Sequence, residues 1–274
     1  MVRELFPFVF LVLRGTKFLI MERKKVLITG ATAGFGRAIA IKFAEHHYDV
    51  IITGRREERL AELEDLIRET YEVDVLSLCF DVRDRKAVVA AFDAIPHSWK
   101  GIDILINNAG LAVGLATIQE GDIDDWEVMI DTNMKGLLYV SRAVMPGMVE
   151  RKAGHIINIG SVAGKETYGK GNVYCATKFA VDALTKSMRI DLLPHNIRVS
   201  SICPGLAETE FSLVRFKGDA ERAKVPYQNI DALTAEDVAE TVYFVASRPA
   251  HVCINDVVIM PTAQANTHDI VKKN

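Results

Sequence analysis

From residue 25 onward, short apolar runs rich in β-branched residues alternate with longer segments in which apolar residues recur every three to four positions. Continuous apolar runs are typical of strands buried on both faces, and the longer spacing is typical of helices that cover a sheet. The strands are predicted at 26–29, 50–53, 75–80, 102–106, 155–159, 198–202 and 257–259, and the helices at 36–46, 57–69, 84–95, 126–150, 173–193 and 235–247. This alternation predicts an α/β fold: a single Rossmann-type, doubly wound domain with a mainly parallel seven-stranded sheet and right-handed crossovers.

Two segments depart from this pattern. Residues 5–13 form an apolar run too short for a membrane-spanning helix, which needs about 20 residues, so no integral span is expected. We expect residues 1–21 to be an extension outside the fold and 22–274 to be the catalytic domain; a membrane-surface anchor is the alternative for the extension. The stretch 204–230 is irregular and too long for a plain connection, which makes it a candidate substrate lid.

Composition narrows the function. The 274 residues carry 33 basic and 36 acidic side chains, a net charge of −3, which gives no reason to expect nucleic acid as a partner. The four cysteines are scattered, with neither a C-x-x-C pair nor a Cys/His cluster. They indicate reduced thiols in a reducing compartment, and neither a disulfide framework nor a metal site is expected.

A glycine-rich turn joins the first strand of the domain to its first helix, where residues 30–36 read Gly-Ala-Thr-Ala-Gly-Phe-Gly. Gly30 permits a tight turn, Gly34 lets the backbone approach a pyrophosphate, and Gly36 allows the helix to pack closely on the sheet. The free N–H groups and the partial positive charge at the helix N-terminus favour an anion. A glycine-rich turn alone is weak evidence, but in this strand–turn–helix setting it predicts a dinucleotide site.

The end of the second strand indicates which dinucleotide binds. An NAD site usually carries Asp or Glu there, to accept hydrogen bonds from the ribose hydroxyls. This chain has Gly54 followed by Arg55 and Arg56, and two guanidinium groups can fork onto a 2′-phosphate. We therefore predict NADP, with Arg55 as the leading contact and Arg56 as the second. The alternative, a solvated helix face, applies to Arg59 and stays open for Arg56.

Two more strand ends carry polar side chains at the edge where ligands bind in such sheets. Asp81 follows the third strand, where its carboxylate can accept a hydrogen bond from the adenine amino group. Asn107 and Asn108 end the fourth strand. A turn alone needs only one of the two, so the pair indicates a further cofactor contact.

The fifth strand ends at Ser161, and Tyr174 and Lys178 follow on the next helix, four residues apart and therefore on one face. Hydride transfer to a carbonyl leaves an alkoxide that needs a proton. A free tyrosine, with a pKa near 10, is a poor base at neutral pH, and a nearby ammonium and a positive nicotinamide are expected to lower that pKa. Ser161 can donate a hydrogen bond to the reacting oxygen. Asn133, an amide in an apolar helix, either holds a water that links Lys178 to bulk solvent or is an ordinary buried amide.

Together these residues resemble the short-chain dehydrogenase/reductase family over residues 24–261. The resemblance is carried by T-G-x-x-x-G-x-G from Thr29 to Gly36, N-N-A-G over 107–110, Asn133, Ser161, and Y-x-x-x-K from Tyr174 to Lys178. It implies that the catalytic residues are Asn133, Ser161, Tyr174 and Lys178. It also implies that Pro204 and Gly205 flank the nicotinamide and that Thr209 contacts its carboxamide or a phosphate. The predicted cofactor contacts are Gly30, Thr32, Gly34, Phe35, Gly36, Arg55, Arg56, Asp81, Val82, Asn107, Tyr174, Lys178, Pro204, Gly205 and Thr209.

Segments 131–139, 145–151, 171–174 and 214–219 are more specifically similar to the NADP-dependent 3-hydroxy acid (serine-type) dehydrogenases. This implies oxidation of the β-hydroxyl of serine, allo-threonine or 3-hydroxypropionate-like acids, or reduction of the semialdehydes, by a cytosolic homotetramer. Residues 165–168, which follow Ser161 and border the substrate, depart from those relatives and leave the exact substrate open.

The substrate contacts follow from the same resemblance and from the charge of a 3-hydroxy acid. Ser161 and Tyr168 are predicted to border the substrate. Its carboxylate needs a cation, and Arg215, Lys217 and Lys165 are the candidates. Arg215 is the predicted contact, and surface charge is the alternative for each of the three.

Two other functions remain open from the sequence. A short-chain reductase of ketones, sugars or acyl thioesters would use identical chemistry in a different pocket. A dinucleotide-sensing module without turnover would keep the fold, but it has no need for the acid–base pair Tyr174 and Lys178.

Overall fold

The computed structural model describes residues 23–273 in full and, of the preceding residues, the backbone of 8–13 and 16–21. The strands are β1 Phe8–Leu13, β2 Thr16–Met21, β3 Lys25–Thr29, β4 Asp49–Gly54, β5 Val75–Cys79, β6 Ile102–Asn107, β7 Gly154–Ile159, β8 Ile197–Pro204 and β9 Asp256–Ile259. The α-helices are α1 Gly34–Glu45, α2 Glu57–Thr70, α3 Arg85–Asp93, α4 Ile123–Ile130, α5 Leu137–Arg151, α6 Asn172–Leu192, α7 Phe211–Arg215, α8 Ala220–Lys224 and α9 Ala235–Ala246. A π-helical segment, Asp131–Gly136, joins α4 to α5, and 3₁₀ turns lie at His97–Trp99, Val162–Gly164, Leu193–His195 and Val225–Tyr227.

Strands β3 to β9 form one sheet in the order β5-β4-β3-β6-β7-β8-β9, and every neighbouring pair is parallel. This confirms the predicted Rossmann-type domain with seven strands. Because all strands run in one direction, their carboxyl ends meet at one edge, where such sheets bind ligands. Strands β1 and β2 form a separate antiparallel pair, and residues 5–7 of the predicted apolar run lie outside the described residues.

The two faces of the sheet carry separate hydrophobic cores. In β3, Val26 and Ile28 pack into one core with Phe43 of α1, whereas Leu27 packs into the other core with Met148 of α5. Successive side chains of a strand point to opposite faces, so a strand covered on both sides needs apolar residues at every position. This is why the central strands read as continuous apolar runs in the sequence.

The structure differs from the sequence prediction in two helical regions. The helix predicted at 126–150 begins earlier, at Ile123, and is interrupted by the π segment Asp131–Gly136. An extra residue within a turn barely changes the apolar spacing, so the periodicity hides it. The stretch 204–230 contains the short helices α7 and α8, which are too brief to show a period. Within the described residues, none of the helices has both the length and the apolar character that a membrane crossing demands.

Candidate active site

A cavity of about 590 Å³ opens at the carboxyl edge of the sheet, between the glycine turn and α7. Most of the residues predicted for cofactor, substrate and catalysis line it: Gly30, Thr32, Gly34, Phe35, Arg55, Arg56, Asp81, Val82, Ser161, Tyr168, Tyr174, Lys178, Pro204, Gly205, Thr209 and Arg215. Gly36, Asn107 and Asn133 lie outside the lining.

The glycine turn has the geometry of a backbone cradle for a phosphate. Gly30 and Gly34 have φ angles of +68° and +50°, which side-chain-bearing residues rarely adopt. A Cβ at Gly36 would lie 2.3 Å from the Gly30 carbonyl oxygen, so only glycine lets α1 pack this closely on the turn. Ala33, which precedes α1, provides no side-chain cap, and the first N–H groups of α1 remain available to an anion. These features fit the pyrophosphate of a dinucleotide.

Asn108, and not Asn107, supports this turn. The Asn108 Nδ2 donates to the carbonyl oxygens of Thr29 and Gly30 at 2.8 and 3.2 Å. The Nδ2 of Asn107 donates to Ser141 Oγ at 2.9 Å and to Asn158 Oδ1 at 2.8 Å, on the buried face of the sheet. The prediction that Asn107 contacts the cofactor is therefore corrected. Adjacent residues at a strand end point in opposite directions, and the sequence alone did not separate them.

The end of the cavity beside β4 is lined by arginines and carboxylates. Arg56 donates from Nε and Nη2 to Thr32 Oγ1 at 3.1 and 2.8 Å. Arg55 Nη1 lies 3.6 Å from an oxygen of Asp81. Both Asp81 oxygens accept hydrogen bonds from Arg83, and although burial pushes the pKa of Asp81 upward, these bonds hold it below its ordinary value. Asp81 is thus an ionised partner of arginines, in addition to its predicted role toward adenine.

Glu210, which the sequence pattern did not indicate, links two arginines near this end of the cavity. Arg59, predicted to lie on a solvated helix face, donates to Glu210 Oε1 at 2.5 Å. Glu210 also accepts from Arg56 Nη1 at 3.0 Å and lines the cavity. Arg56 and Glu210 are 154 positions apart in the sequence, so no local pattern indicates this contact.

Ser161, Tyr174 and Lys178 meet where β7 and α6 approach the cavity. Tyr174 and Lys178 are buried, at 8% and 7% exposure, and the Lys178 Nζ lies 6.0 Å from the centre of the Tyr174 ring. The Nζ donates to the Ile159 carbonyl oxygen at 2.9 Å. Ser161 caps the 3₁₀ turn Val162–Gly164 by accepting from Ala163 N at 3.1 Å, and it lines the cavity together with Tyr174. The phenol and the hydroxyl are therefore placed to share one substrate oxygen.

The protein groups of this cluster raise the pKa of Tyr174, whereas the predicted lowering combined the charge of Lys178 with that of a bound nicotinamide. Burial raises the pKa of Tyr174 above its ordinary value; the hydrogen bond with Ser161 and the charge of Arg215 act against this and do not overcome it. Burial lowers the pKa of Lys178 to about 8. A desolvated ammonium 6.0 Å from the ring is a weak partner for a desolvated phenol, because the environment disfavours both charges.

Asn133 lies in the π segment and holds the backbone of Leu111. Its Oδ1 accepts from Leu111 N at 2.9 Å, and its Nδ2 donates to Leu111 O at 2.8 Å and to Thr177 Oγ1 at 3.0 Å. Protein groups thus occupy both ends of the amide, as in an ordinary buried amide, and a water that links Lys178 to solvent stays a prediction. An added Cβ at Gly110 would lie 3.3 Å from Asn133 Oδ1 and 3.5 Å from Lys178 Nζ, so the amide helps to form the wall next to the ammonium.

Of the three candidate cations for a substrate carboxylate, only Arg215 lines the cavity. Lys165 pairs with Asp182 and Asp256, and Lys217 Nζ lies 2.9 Å from Asp125. These two lysines are removed from the candidates. Their ion pairs join residues far apart in the sequence, which the local pattern could not reveal.

Arg215 presents a guanidinium group beside Tyr174. Its Cζ lies 5.7 Å from the centre of the Tyr174 ring, and its Nη2 donates to the Tyr168 hydroxyl at 2.7 Å. Its Nε is buried and has no hydrogen-bond partner within the structure. A buried N–H without a partner is costly, so the arrangement favours an anionic or hydrogen-bond-accepting ligand at this position.

Two further residues that line the cavity, Phe211 and Gln264, follow no recognisable sequence pattern. The Phe211 ring lies 5.6 Å from the Tyr174 ring. Gln264, which follows the last strand, accepts from Leu206 N at 2.7 Å and fills the space over Gly205, where an added Cβ would lie 2.4 Å from its Oε1. Both residues lie in segments without a regular period, so no repeat identified them.

The family model for the short chain dehydrogenase matches residues 24–219. The chain belongs to the short-chain dehydrogenase family. Its relatives in that family include the NADP-dependent 3-hydroxy acid dehydrogenase YdfG of Salmonella typhi, 53% identical over 88% of this chain and 96% of the relative. Sulfoacetaldehyde reductase 2 of Chromohalobacter salexigens is 47% identical over 88% of this chain and 95% of the relative.

Solved structures of serine dehydrogenases are similar to this chain in both fold and sequence. The closed form of serine dehydrogenase complexed with NADP⁺ superposes with a TM-score of 0.85 at 50% identity, covering 91% of this chain and all of that one. Serine dehydrogenase from Escherichia coli superposes with a TM-score of 0.76 at 46% identity, covering 88% of this chain and 99% of that one. The similarity extends over nearly the whole Rossmann-type domain.

Proposed function

We propose that this short-chain dehydrogenase transfers a hydride between NADP and the β-hydroxyl or β-carbonyl of a small 3-hydroxy acid, such as serine, allo-threonine or 3-hydroxypropionate. The general reaction follows from the family and from relatives of about 50% identity that are named for NADP and for 3-hydroxy acids or serine. The observation that carries the substrate class is Arg215, whose unpartnered Nε is buried beside Tyr174.

NADP is the cofactor. The glycine turn and the N-terminus of α1 fit its pyrophosphate, since an added Cβ at Gly36 would close the turn. Arg55 and Arg56 would hold the 2′-phosphate, and Gly54 leaves room between them and Thr32 because an added Cβ there would lie 2.5 Å from the Thr32 methyl. When bound, the nicotinamide supplies or accepts the hydride.

The residues of the chain move the proton. Because burial raises its pKa, Tyr174 is protonated at neutral pH and can donate its proton to the substrate oxygen as a carbonyl is reduced. Ser161 hydrogen-bonds the same oxygen and stabilises its developing negative charge. Lys178, with a pKa of about 8, exchanges protons near neutral pH, and its bond to the Ile159 carbonyl fixes its position. Asn133 is a positioning residue through Leu111 and Thr177. Oxidation requires the phenolate and is therefore expected to need a higher pH.

Arg215 recognises the acid. Its guanidinium can bind the carboxylate of a 3-hydroxy acid through two hydrogen bonds while the β-carbon of that acid faces Tyr174. The bond of 2.7 Å from Arg215 Nη2 to the Tyr168 hydroxyl holds the guanidinium in place. The same fork suits a sulfonate. Sulfoacetaldehyde is therefore the comparison substrate for the semialdehyde of a 3-hydroxy acid.

The test compares the Arg215→Ala variant with Arg222→Ala. Arg222 is an arginine of the same lid that stacks on Phe216 and does not line the cavity. We expect Arg215→Ala to lower kcat/KM for malonate semialdehyde and for 3-hydroxypropionate at least tenfold, because a charge-assisted fork contributes about 1.5–3 kcal/mol. A neutral aldehyde should lose less than twofold, and Arg222→Ala should resemble the wild type. Unchanged kcat/KM for the acids in Arg215→Ala would refute the substrate class, and higher activity on sulfoacetaldehyde would assign the site to sulfonates.

The oligomeric state and the cellular location are proposed from the resemblance to the 3-hydroxy acid dehydrogenases. We propose a cytoplasmic homotetramer. Leu138 of α5 and Phe179 and Ile190 of α6 expose 39%, 41% and 72% of their surface and are available for a subunit contact. Light scattering should give four times the 30.4 kDa chain mass. A monomeric mass would contradict this assembly.

The domain assignment is also a proposal: an extension at 1–21 and a catalytic domain at 22–274. The separate β1–β2 pair is compatible with it. A chain that starts at Met21 is expected to bind NADPH and turn over substrate like the full chain. Loss of either property would place the first residues within the working fold.

A further inference from the structure

Glu210 lies between Arg56, which lines the cavity, and Arg59, which does not. Its carboxylate accepts hydrogen bonds from Arg56 Nη1 at 3.0 Å and from Arg59 Nη1 at 2.5 Å. Burial pushes the pKa of Glu210 upward, but the hydrogen bonds from Arg59 and Arg56 outweigh it and hold that pKa below its ordinary value. The carboxylate is therefore ionised at neutral pH, and it neutralises part of the positive charge at this end.

The Arg56 guanidinium is one of the two that the proposed function assigns to the 2′-phosphate. It is already oriented toward the cavity, because Thr32 Oγ1 accepts from its Nε and Nη2. A phosphate that binds Arg56 therefore shares this guanidinium with the Glu210 carboxylate. Two anions bound to one guanidinium lie close together and repel each other. Arg55 also has an acidic neighbour, since its Nη1 lies 3.6 Å from the Asp81 carboxylate.

We propose that Glu210 competes with the 2′-phosphate of NADP for Arg56, one of the two guanidinium groups assigned to that phosphate, and thereby limits how strongly the enzyme prefers NADP over NAD. This inference rests on the proposed function, because it requires NADP in the cavity. The 2′-phosphate must displace the carboxylate before it can use both guanidinium groups. Removing the charge at position 210 therefore strengthens the binding of ligands that carry a 2′-phosphate and leaves other ligands unaffected.

The size of the effect follows from the exposure of the three side chains. Arg56, Arg59 and Glu210 keep 45%, 43% and 40% of their side-chain surface in contact with solvent. Exposed ion pairs are screened and contribute little, so the competition is expected to change the dissociation constant by about fivefold. The effect should shrink at high ionic strength, because salt screens the same charges.

The test is a titration of binding, independent of turnover. The variant Glu210→Gln removes the charge and keeps the shape, and Glu208→Gln is the matched control, since Glu208 is exposed and does not line the cavity. The ligands are 2′,5′-ADP and NADPH, which carry the 2′-phosphate, and 5′-AMP and NADH, which lack it. All are titrated calorimetrically.

We expect Glu210→Gln to lower the Kd of 2′,5′-ADP and of NADPH about fivefold and to change the Kd of 5′-AMP and NADH by less than twofold. The control should match the wild type for all four ligands. Unchanged or weaker binding of 2′,5′-ADP by Glu210→Gln overturns the competition while leaving the cofactor assignment intact. Tighter binding of NADH than of NADPH by both the wild type and Glu210→Gln overturns the cofactor assignment, and the competition with it.

Discussion

Replacing Gly36 by alanine should separate the role of the glycine turn in folding from its role in binding. An ideal Cβ at Gly36 would lie 2.3 Å from the Gly30 carbonyl oxygen and 2.5 Å from Asn108 Nδ2. Normal contacts of a Cβ begin near 3.4 Å, so the turn must move away from α1 by roughly 1 Å. That movement disturbs both the Gly30 carbonyl and the Asn108 side chain that holds it.

The energetic consequence combines two opposing contributions. Overpacking of a close contact costs about 1–3 kcal/mol, and the greater helix propensity of alanine returns up to about 1 kcal/mol. We therefore expect the free energy of unfolding to fall by about 1–2 kcal/mol. A displacement of the turn by roughly 1 Å should weaken NADPH binding more than tenfold, because the backbone no longer fits the pyrophosphate.

Urea denaturation and a fluorescence titration with NADPH measure the two effects. Gly101→Ala is the control, since an added Cβ at Gly101 has no atom within 4 Å. That variant should unfold within about 0.5 kcal/mol of the wild type and bind NADPH normally. If Gly36→Ala bound NADPH as tightly as the wild type, the close packing of α1 on the glycine turn would not be required for cofactor binding.

Three further predictions concern pH and the substrate cation. Burial lowers the pKa of His155 in the folded protein to about 3, below its unfolded value near 6.5, so acid favours unfolding. Between pH 6.5 and 3 stability should fall, by about 2 kcal/mol at pH 5, and urea titrations of His155→Gln should lack this loss. Tyr168→Phe removes the 2.7 Å bond to Arg215 and should raise KM for 3-hydroxypropionate about fivefold, with kcat and the KM for a neutral aldehyde unchanged. An unchanged KM for the acid would exclude Tyr168 from positioning the fork. Because burial raises the pKa of Tyr174, initial rates of semialdehyde reduction should stay level from pH 6 to 8 while 3-hydroxypropionate oxidation rises with pH; a falling oxidation rate would contradict this.

Much of the fold could be predicted because local spacing reflects burial. The apolar runs of the central strands follow from coverage on both faces, as in β3, where Val26 and Leu27 enter different cores. The four-residue spacing of Tyr174 and Lys178 places both on one face of α6, and both line the cavity. The strand–turn–helix context of Gly30 likewise predicts where the cavity lies, since Gly30 lines it.

The features that could not be predicted depend on contacts between residues distant in the sequence, on side-chain direction at a strand end, or on burial in the folded protein. The ion pair between Arg56 and Glu210 joins residues 154 positions apart and follows no repeat. The choice between Asn107 and Asn108 depends on which side of the strand end each side chain takes. The pKa of Tyr174 depends on its burial in the folded protein, and the helical spacing of the sequence does not show how deeply a residue is buried.

Tyr174→Phe, measured for NADPH binding and for turnover in the same preparation, tests most directly whether this phenol passes the proton. The substitution removes one oxygen from a buried ring and leaves the glycine turn untouched. The account predicts that kcat falls by about 10²–10⁴-fold while the Kd of NADPH stays within threefold of the wild type. Turnover near the wild-type rate with NADPH bound would contradict it.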